Sequence, residues 1–177
     1  MCGLPRLFTL LLTIGLAGVQ LARAGPAEAL EEAFPGCTPR HCVVTKNEGG
    51  DLGDYNLALY QMLLVGIRHV VVDARCTSSC ASTVDLAREV GIDVCITSRA
   101  SFAFHKASLQ LENILVAGTY DTVVEVNDYF DPPQTPGVRE WVLAHGGFPI
   151  GTGKHMLRMS AQEASRFWRW CGPRDGR

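Results

Sequence analysis

Three turns of the chain carry residue types that together could perform acyl-transfer chemistry. The first, Gly49-Gly50-Asp51, follows a short predicted strand, and paired glycines allow a backbone that exposes peptide N–H groups to an oxyanion. The second, Cys76-Thr77-Ser78-Ser79-Cys80, joins a predicted buried strand to a predicted helix and presents Ser78 at the carboxyl edge of the sheet. The third is His105, which ends a strand 27 residues after Ser78.

The order of the three turns indicates a nucleophilic serine beside a histidine base. A serine hydroxyl attacks a carbonyl well only when a neighbouring imidazole removes its proton. Since the carboxyl ends of parallel strands share one edge, we expect Ser78 within or near hydrogen-bond reach of a His105 ring nitrogen. The glycine turn should face the same cleft. In the competing interpretation, Ser78 turns inward to cap a helix and His105 bonds to a backbone carbonyl.

The elements that must position these turns alternate between strand and helix along the chain. A β-branched run at 69–74 (HVVVDA) is typical of a strand covered on both faces. Alternating strands and helices predict an α/β fold whose sheet is mainly parallel, with crossover helices. Further strands are predicted at 42–46, 93–97 and 101–104, with candidates at 114–117 and 122–126; helices are predicted at 54–65, 79–90 and 138–145.

Three segments outside this alternation carry weaker patterns. The segment from 25 to 40 is small, acidic and punctuated by proline, which predicts a surface lead-in. The segment from 131 to 137 (DPPQTPG) is predicted to be irregular. Ser160 and Glu163 form a capping box, which predicts a last helix that runs to about Trp170.

Composition is that of one globular domain that does not bind nucleic acid. The chain has 177 residues, of which 47% are hydrophobic and 19% charged, with a formal net charge of −2. Without Arg6 and Arg23, in the segment considered next, the charge becomes −4, with 14 basic and 18 acidic residues. A dedicated nucleic-acid-binding protein needs a positive surface, so the composition argues against this class.

The first 24 residues have the pattern of a signal peptide. Arg6 precedes an apolar stretch from Leu7 to Val19, and Ala22-Arg23-Ala24 supplies a small-x-small cleavage site. We expect cleavage near Ala24, a mature chain that begins near Gly25, and a soluble periplasmic or secreted product. The alternative is a retained anchor, although the apolar stretch is short for a membrane span.

Six cysteines remain after the predicted cleavage removes Cys2: Cys37, Cys42, Cys76, Cys80, Cys95 and Cys171. An even number in an exported chain predicts disulfides. Cys76 is within reach of Cys80 if the segment enters a helix, but a bridge to Cys42 on a neighbouring strand is equally compatible. Cys95 and Cys171 would then be left to pair. The absence of a CxxC motif and the spacing of the histidines argue against metal, so we predict no metal and no cofactor.

The stretch from about Val43 to Lys106 resembles the proteolytic subunit of Clp protease and its crotonase-superfamily relatives. More closely, it is similar to exported bacterial Clp-protease-like proteins, in which strand–GG–helix, C-x-S-A-C and a strand ending in F-H follow one another. The matching segments here are NEGGD (47–51), CTSSC (76–80) and CITSRASFAFHKA (95–107). The tail RMSAQEA (158–164) also resembles the start of a late helix in the Clp subunit. The resemblance covers about 60 residues plus this tail.

The resemblance implies one Clp-protease/crotonase-like spiral domain from 25 to 177, with Ser78 as nucleophile and His105 as general base. Gly50 and Asp51 then lie on the oxyanion turn, and the Ser79 N–H is the second donor. Crotonase-like folds commonly self-associate, so the resemblance also implies a homo-oligomer.

The chain departs from the Clp pattern at the third catalytic residue. Where the Clp subunit carries its aspartate, this chain has 151–154 (GTGK) and no acid; Asp128 and Asp131 are the candidate substitutes. Loss of an orienting acid costs roughly 10⁴ in turnover, so we expect a weak site.

Two classes of function follow from these residues. The first is a periplasmic serine hydrolase, a Clp-like peptidase that acts weakly on peptide or protein substrates. The second is a non-catalytic crotonase-like binding or scaffold protein of the cell envelope, with a protein partner. Acyl-CoA chemistry is disfavoured because an exported protein meets little coenzyme A.

Overall fold

The computed structural model of the protein describes residues 26–111 and 126–175. The predicted signal segment lies outside these residues. In chain order the elements are α1 (Pro26–Ala33), β1 (Cys42–Val44), α2 (Leu52–Leu64), β2 (His69–Val72), β3 (Arg75–Thr77), α3 (Ser79–Glu89), β4 (Asp93–Ile96), β5 (Ser101–Phe104), β6 (Ala107–Leu111), β7 (Val126–Phe130), α4 (Pro136–Ala144), a 3₁₀ turn (Gly153–His155), β8 (Leu157–Ser160), α5 (Ala161–Ala164) and β9 (Arg169–Trp170).

The strands form a parallel sheet and two smaller sheets. The first has the order β1-β2-β4-β9, with every neighbouring pair parallel. The second has the order β3-β5-β8; β3 and β5 are parallel, and β8 is antiparallel to β5. β6 and β7 form an antiparallel pair. The predicted α/β class with a mainly parallel sheet is therefore confirmed.

Burial explains why short strands form at the centre. Val70, Val71 and Val72 of β2 are all buried, as expected for a β-branched strand covered on both faces. α2 connects the parallel strands β1 and β2. α3 lies in the connection from β2 to β4 and in the connection from β3 to β5, so these parallel pairs are also joined through a helix. This arrangement brings the ends of β3 and β5 side by side.

The structure corrects the predicted surface lead-in. Residues 26–33 form helix α1, and Ala29, Ala33 and Phe34 are buried in the core. Phe34 packs edge-on against Tyr55 of α2. Apolar burial against α2 outweighs the polar, proline-punctuated composition that predicted a surface segment.

The predicted last helix is wrong beyond Ala164. The capping box between Ser160 and Glu163 is present, but α5 ends after four residues and the chain continues into β9. Trp168 is only 2% exposed and stacks on Phe102, so the chain leaves the helical path to bury this ring.

Three strands, β3, β6 and β8, lie where no strand was predicted. The remaining predicted elements differ from their expected bounds by only a few residues. α4 begins two residues earlier than expected, because proline is well tolerated in a first helical turn. Of the candidate strands, 114–117 and 122–125 lie outside the described residues, and β7 begins at Val126.

Three disulfides join the six cysteines: Cys37–Cys42, Cys76–Cys80 and Cys95–Cys171. Of the two partners considered for Cys76, the structure has Cys80, while Cys42 pairs with Cys37. Within 26–111 and 126–175, no helix is long and apolar enough to cross a bilayer.

Candidate active site

Ser78 occupies an unusual backbone conformation between β3 and α3. Its φ of 55° and ψ of −126° make it the sole non-glycine residue with positive φ among those the structure describes. Its N–H donates to the Ala103 carbonyl of β5 at 2.8 Å, which anchors the turn to the neighbouring strand. A sharp strand-to-helix turn of this kind exposes a serine hydroxyl at the end of a sheet, as a nucleophile requires.

Gly49 permits this turn because it lies directly against Ser78. A Cβ at Gly49 would lie 2.6 Å from the Thr77 carbonyl oxygen and 2.7 Å from Ser78 Cβ, and the φ of Gly49 is +81°. Only glycine fits both the space and the conformation.

The Cys76–Cys80 disulfide encloses the same turn covalently. Both cysteines are fully buried, and their Cα atoms are 5.4 Å apart. The bridge ties the last residues of β3 to the first turn of α3, with Ser78 midway between its ends.

Ser78 and His105 are in hydrogen-bond contact. Ser78 Oγ lies 2.7 Å from His105 Nε2, and the pairing of Thr77 with Ala103 in the β3–β5 register brings the two strand ends together. The Ser78 side chain makes no cap bond to α3, so the competing interpretation as a helix cap is wrong.

Burial lowers the pKa of His105 below its ordinary value, and a hydrogen bond with the Lys106 backbone offsets part of this effect. The half-buried imidazole is therefore neutral near neutral pH. A neutral ring can accept the proton of Ser78.

Gly50, Asp51 and Ser79 surround the space in front of Ser78. All three line the same cavity as Ser78 and His105. The Ser79 hydroxyl donates to the Gly50 carbonyl at 2.6 Å. The backbone N–H groups of Gly50 and Asp51 have no acceptor within the part of the chain that the structure describes.

Two features leave N–H donors available to an oxyanion. Ser79 begins α3, so its N–H has no acceptor inside the helix. The Asp51 carboxylate is occupied as the N-cap of α2, where it accepts from the N–H groups of Gly53 and Asp54. This leaves the Asp51 N–H, not its side chain, as the group that could face a substrate.

Asn47 is a positioning residue that the sequence analysis missed. Its Nδ2 donates to the Ala33 carbonyl of α1 at 2.6 Å, and its Oδ1 accepts from the Gly49 N–H at 3.0 Å. The Tyr55 hydroxyl also donates to Oδ1, and burial raises the pKa of Tyr55. The buried amide thus links both leading helices to the glycine turn. An asparagine two residues before paired glycines was the available signal.

Neither candidate third residue has a described contact with His105. Asp131 forms ion pairs with Arg139 at 3.1 Å and Lys106 at 3.9 Å. Asp128 lies on β7 opposite Leu109, and its side chain lies outside the described residues. Among the described side chains, no carboxylate hydrogen-bonds to His105.

Two cavities meet at the Ser78–His105 pair. The larger, about 840 Å³, continues past Ser79 to Ser108 and Phe130. The smaller, about 410 Å³, has Arg75 and Arg158 in its wall, together with Thr152 and Gly153 from the acid-free segment. A chain-like substrate could therefore extend to both sides of Ser78.

No protein-family model matches the chain, and no curated protein matches its sequence, so the assignment of function depends on the geometry of Ser78 and His105.

Proposed function

We propose that the protein is a serine hydrolase, a Clp-like peptidase with a crotonase-like spiral fold, in which Ser78 is the nucleophile and His105 the general base. The observation that carries the proposal is the 2.7 Å contact between Ser78 Oγ and His105 Nε2, made by a serine with positive φ at a strand-to-helix turn. The three disulfides fit a periplasmic or secreted location, since such bonds persist in oxidising compartments.

The proposed reaction needs only groups of this chain and a water molecule. His105 Nε2 takes the Ser78 proton as Oγ attacks the substrate carbonyl, whose oxygen becomes an oxyanion beside the N–H groups of Gly50 or Asp51 and Ser79. The imidazolium then gives its proton to the leaving amine, and an acyl-serine remains. Water activated by His105 attacks the acyl group, and Ser78 recovers its proton.

The site is expected to be slow. Among the described side chains, no carboxylate contacts the second ring nitrogen, and the imidazole is oriented by its burial, the Lys106 backbone and Ser78. Loss of an orienting acid costs roughly 10⁴ in turnover, while the oxyanion donors still contribute.

A fluorophosphonate probe tests the nucleophile directly, because it phosphonylates only an activated serine. We expect the wild-type chain to be labelled and the Ser78→Ala variant to lose labelling. Ser108→Ala is the matched control, since Ser108 is an exposed serine in the wall of the same cavity. Labelling that persists in Ser78→Ala would contradict the proposal.

The alternative function is that of a non-catalytic crotonase-like binding or scaffold protein of the cell envelope. The lack of a carboxylate on His105 among the described side chains favours it. A wild-type chain that is folded, with all three disulfides formed, and yet unlabelled by the probe would support this alternative.

A further inference from the structure

A second histidine contacts a disulfide at the first sheet. His69 begins β2, and its Nε2 lies 3.7 Å from Cys95 Sγ on the neighbouring strand β4. Cys95 is bonded to Cys171, which follows β9. None of these three residues lines either cavity beside Ser78.

Two carboxylates hold the His69 ring in place. Asp93 Oδ2 lies 2.9 Å from Nδ1, and Asp175 Oδ1 lies 3.5 Å from Nε2. Arg169 bridges both acids, with Nε 3.1 Å from Asp93 and Nη1 2.7 Å from Asp175. The Arg169 guanidinium lowers the pKa of both carboxyls, so each is ionised at neutral pH.

The two residues of this bridge differ in their exposure. Cys95 is fully buried, whereas Cys171 is partly exposed and lies between the exposed residues Trp170 and Gly172. A thiolate from solvent therefore meets Cys171 Sγ first, and the sulfur it would expel is Cys95 Sγ beside His69.

The other two bridges lack this combination. Cys76 and Cys80 are both fully buried. Cys37 is partly buried and its partner Cys42 fully buried, but no described histidine ring contacts either bridge. A thiolate leaves faster when a nearby cation or proton donor stabilises it, so the three bridges should differ in reactivity.

We propose that Cys95–Cys171 is a thiol–disulfide exchange site for small thiols, with His69 as the group that assists departure of the Cys95 thiolate. A thiol R–SH gives its proton to His69 Nε2 by way of solvent, and its sulfur attacks Cys171 Sγ. The Cys171–S–S–R bond forms as the Cys95–Cys171 bond breaks, and the electron pair goes to Cys95 Sγ, which accepts a hydrogen bond from Nε2–H. A second R–SH then releases R–S–S–R, so two thiols are oxidised as the bridge is reduced.

Exchange at this position releases a strand. β9 contributes only Arg169 and Trp170 to the edge of the first sheet, and the Cys171 N–H bonds to the Ile96 carbonyl. The disulfide is the covalent tie that holds this end of the chain against β4. The proposal does not depend on the function proposed for Ser78.

The test is a timed reaction of the oxidised full chain with reduced glutathione, quenched by alkylation and mapped by mass spectrometry. We expect Cys95–Cys171 to open first, with glutathione on Cys171 and a free thiol on Cys95. His69→Gln should slow this opening about tenfold, because the leaving thiolate loses its hydrogen-bond donor. His155→Gln, at an exposed histidine remote in sequence from every cysteine pair, should leave the rate unchanged.

The position at which glutathione first appears on the wild-type chain tests the proposal even if His69→Gln does not fold. Glutathione found first on Cys95, or on either of the other two bridges, would overturn the proposal. An unchanged opening rate in a folded His69→Gln chain would overturn the role of His69.

Discussion

The strained conformation of Ser78 is maintained by its immediate neighbours. A non-glycine residue at positive φ costs on the order of 1–3 kcal/mol. Three contacts hold Ser78 there: the hydrogen bond to Ala103, the Cys76–Cys80 bridge and the close approach of Gly49. Each holds the backbone of the turn and leaves the hydroxyl free to contact His105.

Gly49→Ala should slow probe labelling without altering any reacting group. The added Cβ would meet Thr77 O and Ser78 Cβ at under 3 Å, so the turn must shift. Gly66→Ala is the matched control, since Gly66 has nearly the same φ of +80° but open space around it. We expect at least a tenfold loss of labelling rate for Gly49→Ala and none for Gly66→Ala, with each variant destabilised by about 1 kcal/mol or more from positive φ alone. Equal labelling of both variants would show that the close approach is irrelevant to the site.

The labelling rate should depend on pH through His105. Because burial lowers its pKa, the imidazole stays neutral, and able to accept the Ser78 proton, to lower pH than an exposed histidine. The rate should be constant above neutral pH and fall as pH decreases through the His105 pKa. Rates measured between about pH 4 and 8 should show an inflection below the ordinary histidine value of 6.5. An inflection above that value would contradict the assignment of His105 as the base.

Prediction from sequence worked at this scale where strand ends carry the residue. His105 follows the strand predicted at 101–104, and the shared edge of parallel strands was the reason to expect Ser78 beside it. Ser78 itself follows β3, a strand that was not predicted apart from the run at 69–74, so the pairing of β3 with β5 could not be predicted. Asn47 was missed because its role depends on contacts with Ala33 and Tyr55. Ala33 is 14 residues away and lies in α1, a helix that was not predicted from the sequence.

At the scale of elements, a buried acid joins α3 to the start of α4. Asp85 is fully buried in α3, where it accepts hydrogen bonds from the Thr135 N–H at 2.6 Å and the Thr135 hydroxyl at 2.9 Å. Burial raises the pKa of Asp85 to about 6 despite these two bonds. Gln134 adds a bond to Ser82, so two successive residues before α4 are held by α3.

Asp85→Asn should remove a pH-dependent loss of stability. The pKa of Asp85 in the folded chain, about 6, exceeds the ordinary value of 3.8, so the folded state holds this proton to higher pH than the unfolded state. The free energy of unfolding therefore falls as pH rises between these two values. The loss amounts to about 3 kcal/mol at neutral pH. Urea unfolding at pH 4 and pH 7 measures this effect. From pH 4 to pH 7, the free energy of unfolding of the variant should rise by about this much relative to that of the wild-type chain. Glu31→Gln, at an exposed acid of α1, should leave the difference unchanged; a similar gain in that control would contradict the assignment to Asp85.

The elements that sequence predicted well are those whose periodicity reflects burial. The run at β2 matches a strand with three buried valines, and the helical period of α2 matches one buried face. α3 is buried at nearly every position from Ser79 to Ala87. α1 and β9 were missed because each depends on a distant partner: α2 covers α1, and β4 pairs with β9. The stacking of Trp168 on Phe102 likewise involves residues far apart in sequence.

For the molecule as a whole, the disulfides should contribute unequally to stability. Cys95 and Cys171 are separated by 76 positions, whereas Cys76 and Cys80 are separated by 4. Loop-closure entropy predicts a loss of about 4.5 kcal/mol when the long bridge is removed and about 2 kcal/mol for the short one. Urea unfolding of Cys95→Ala/Cys171→Ala and Cys76→Ala/Cys80→Ala double variants measures both losses. A larger loss for the short bridge would show that it stabilises the folded turn rather than restricting the unfolded chain.

The Cys76–Cys80 ring also limits how the sequence can change in length. The three enclosed residues are the last of β3, the turn residue Ser78 and the first of α3. One inserted residue would rotate α3 by about 100° relative to the strand, because a helix turns once in 3.6 residues. The Asp85 carboxylate would then turn away from Thr135, and the contact between them would be lost. Insertions and deletions should therefore be excluded between the two cysteines, even where single substitutions are accepted.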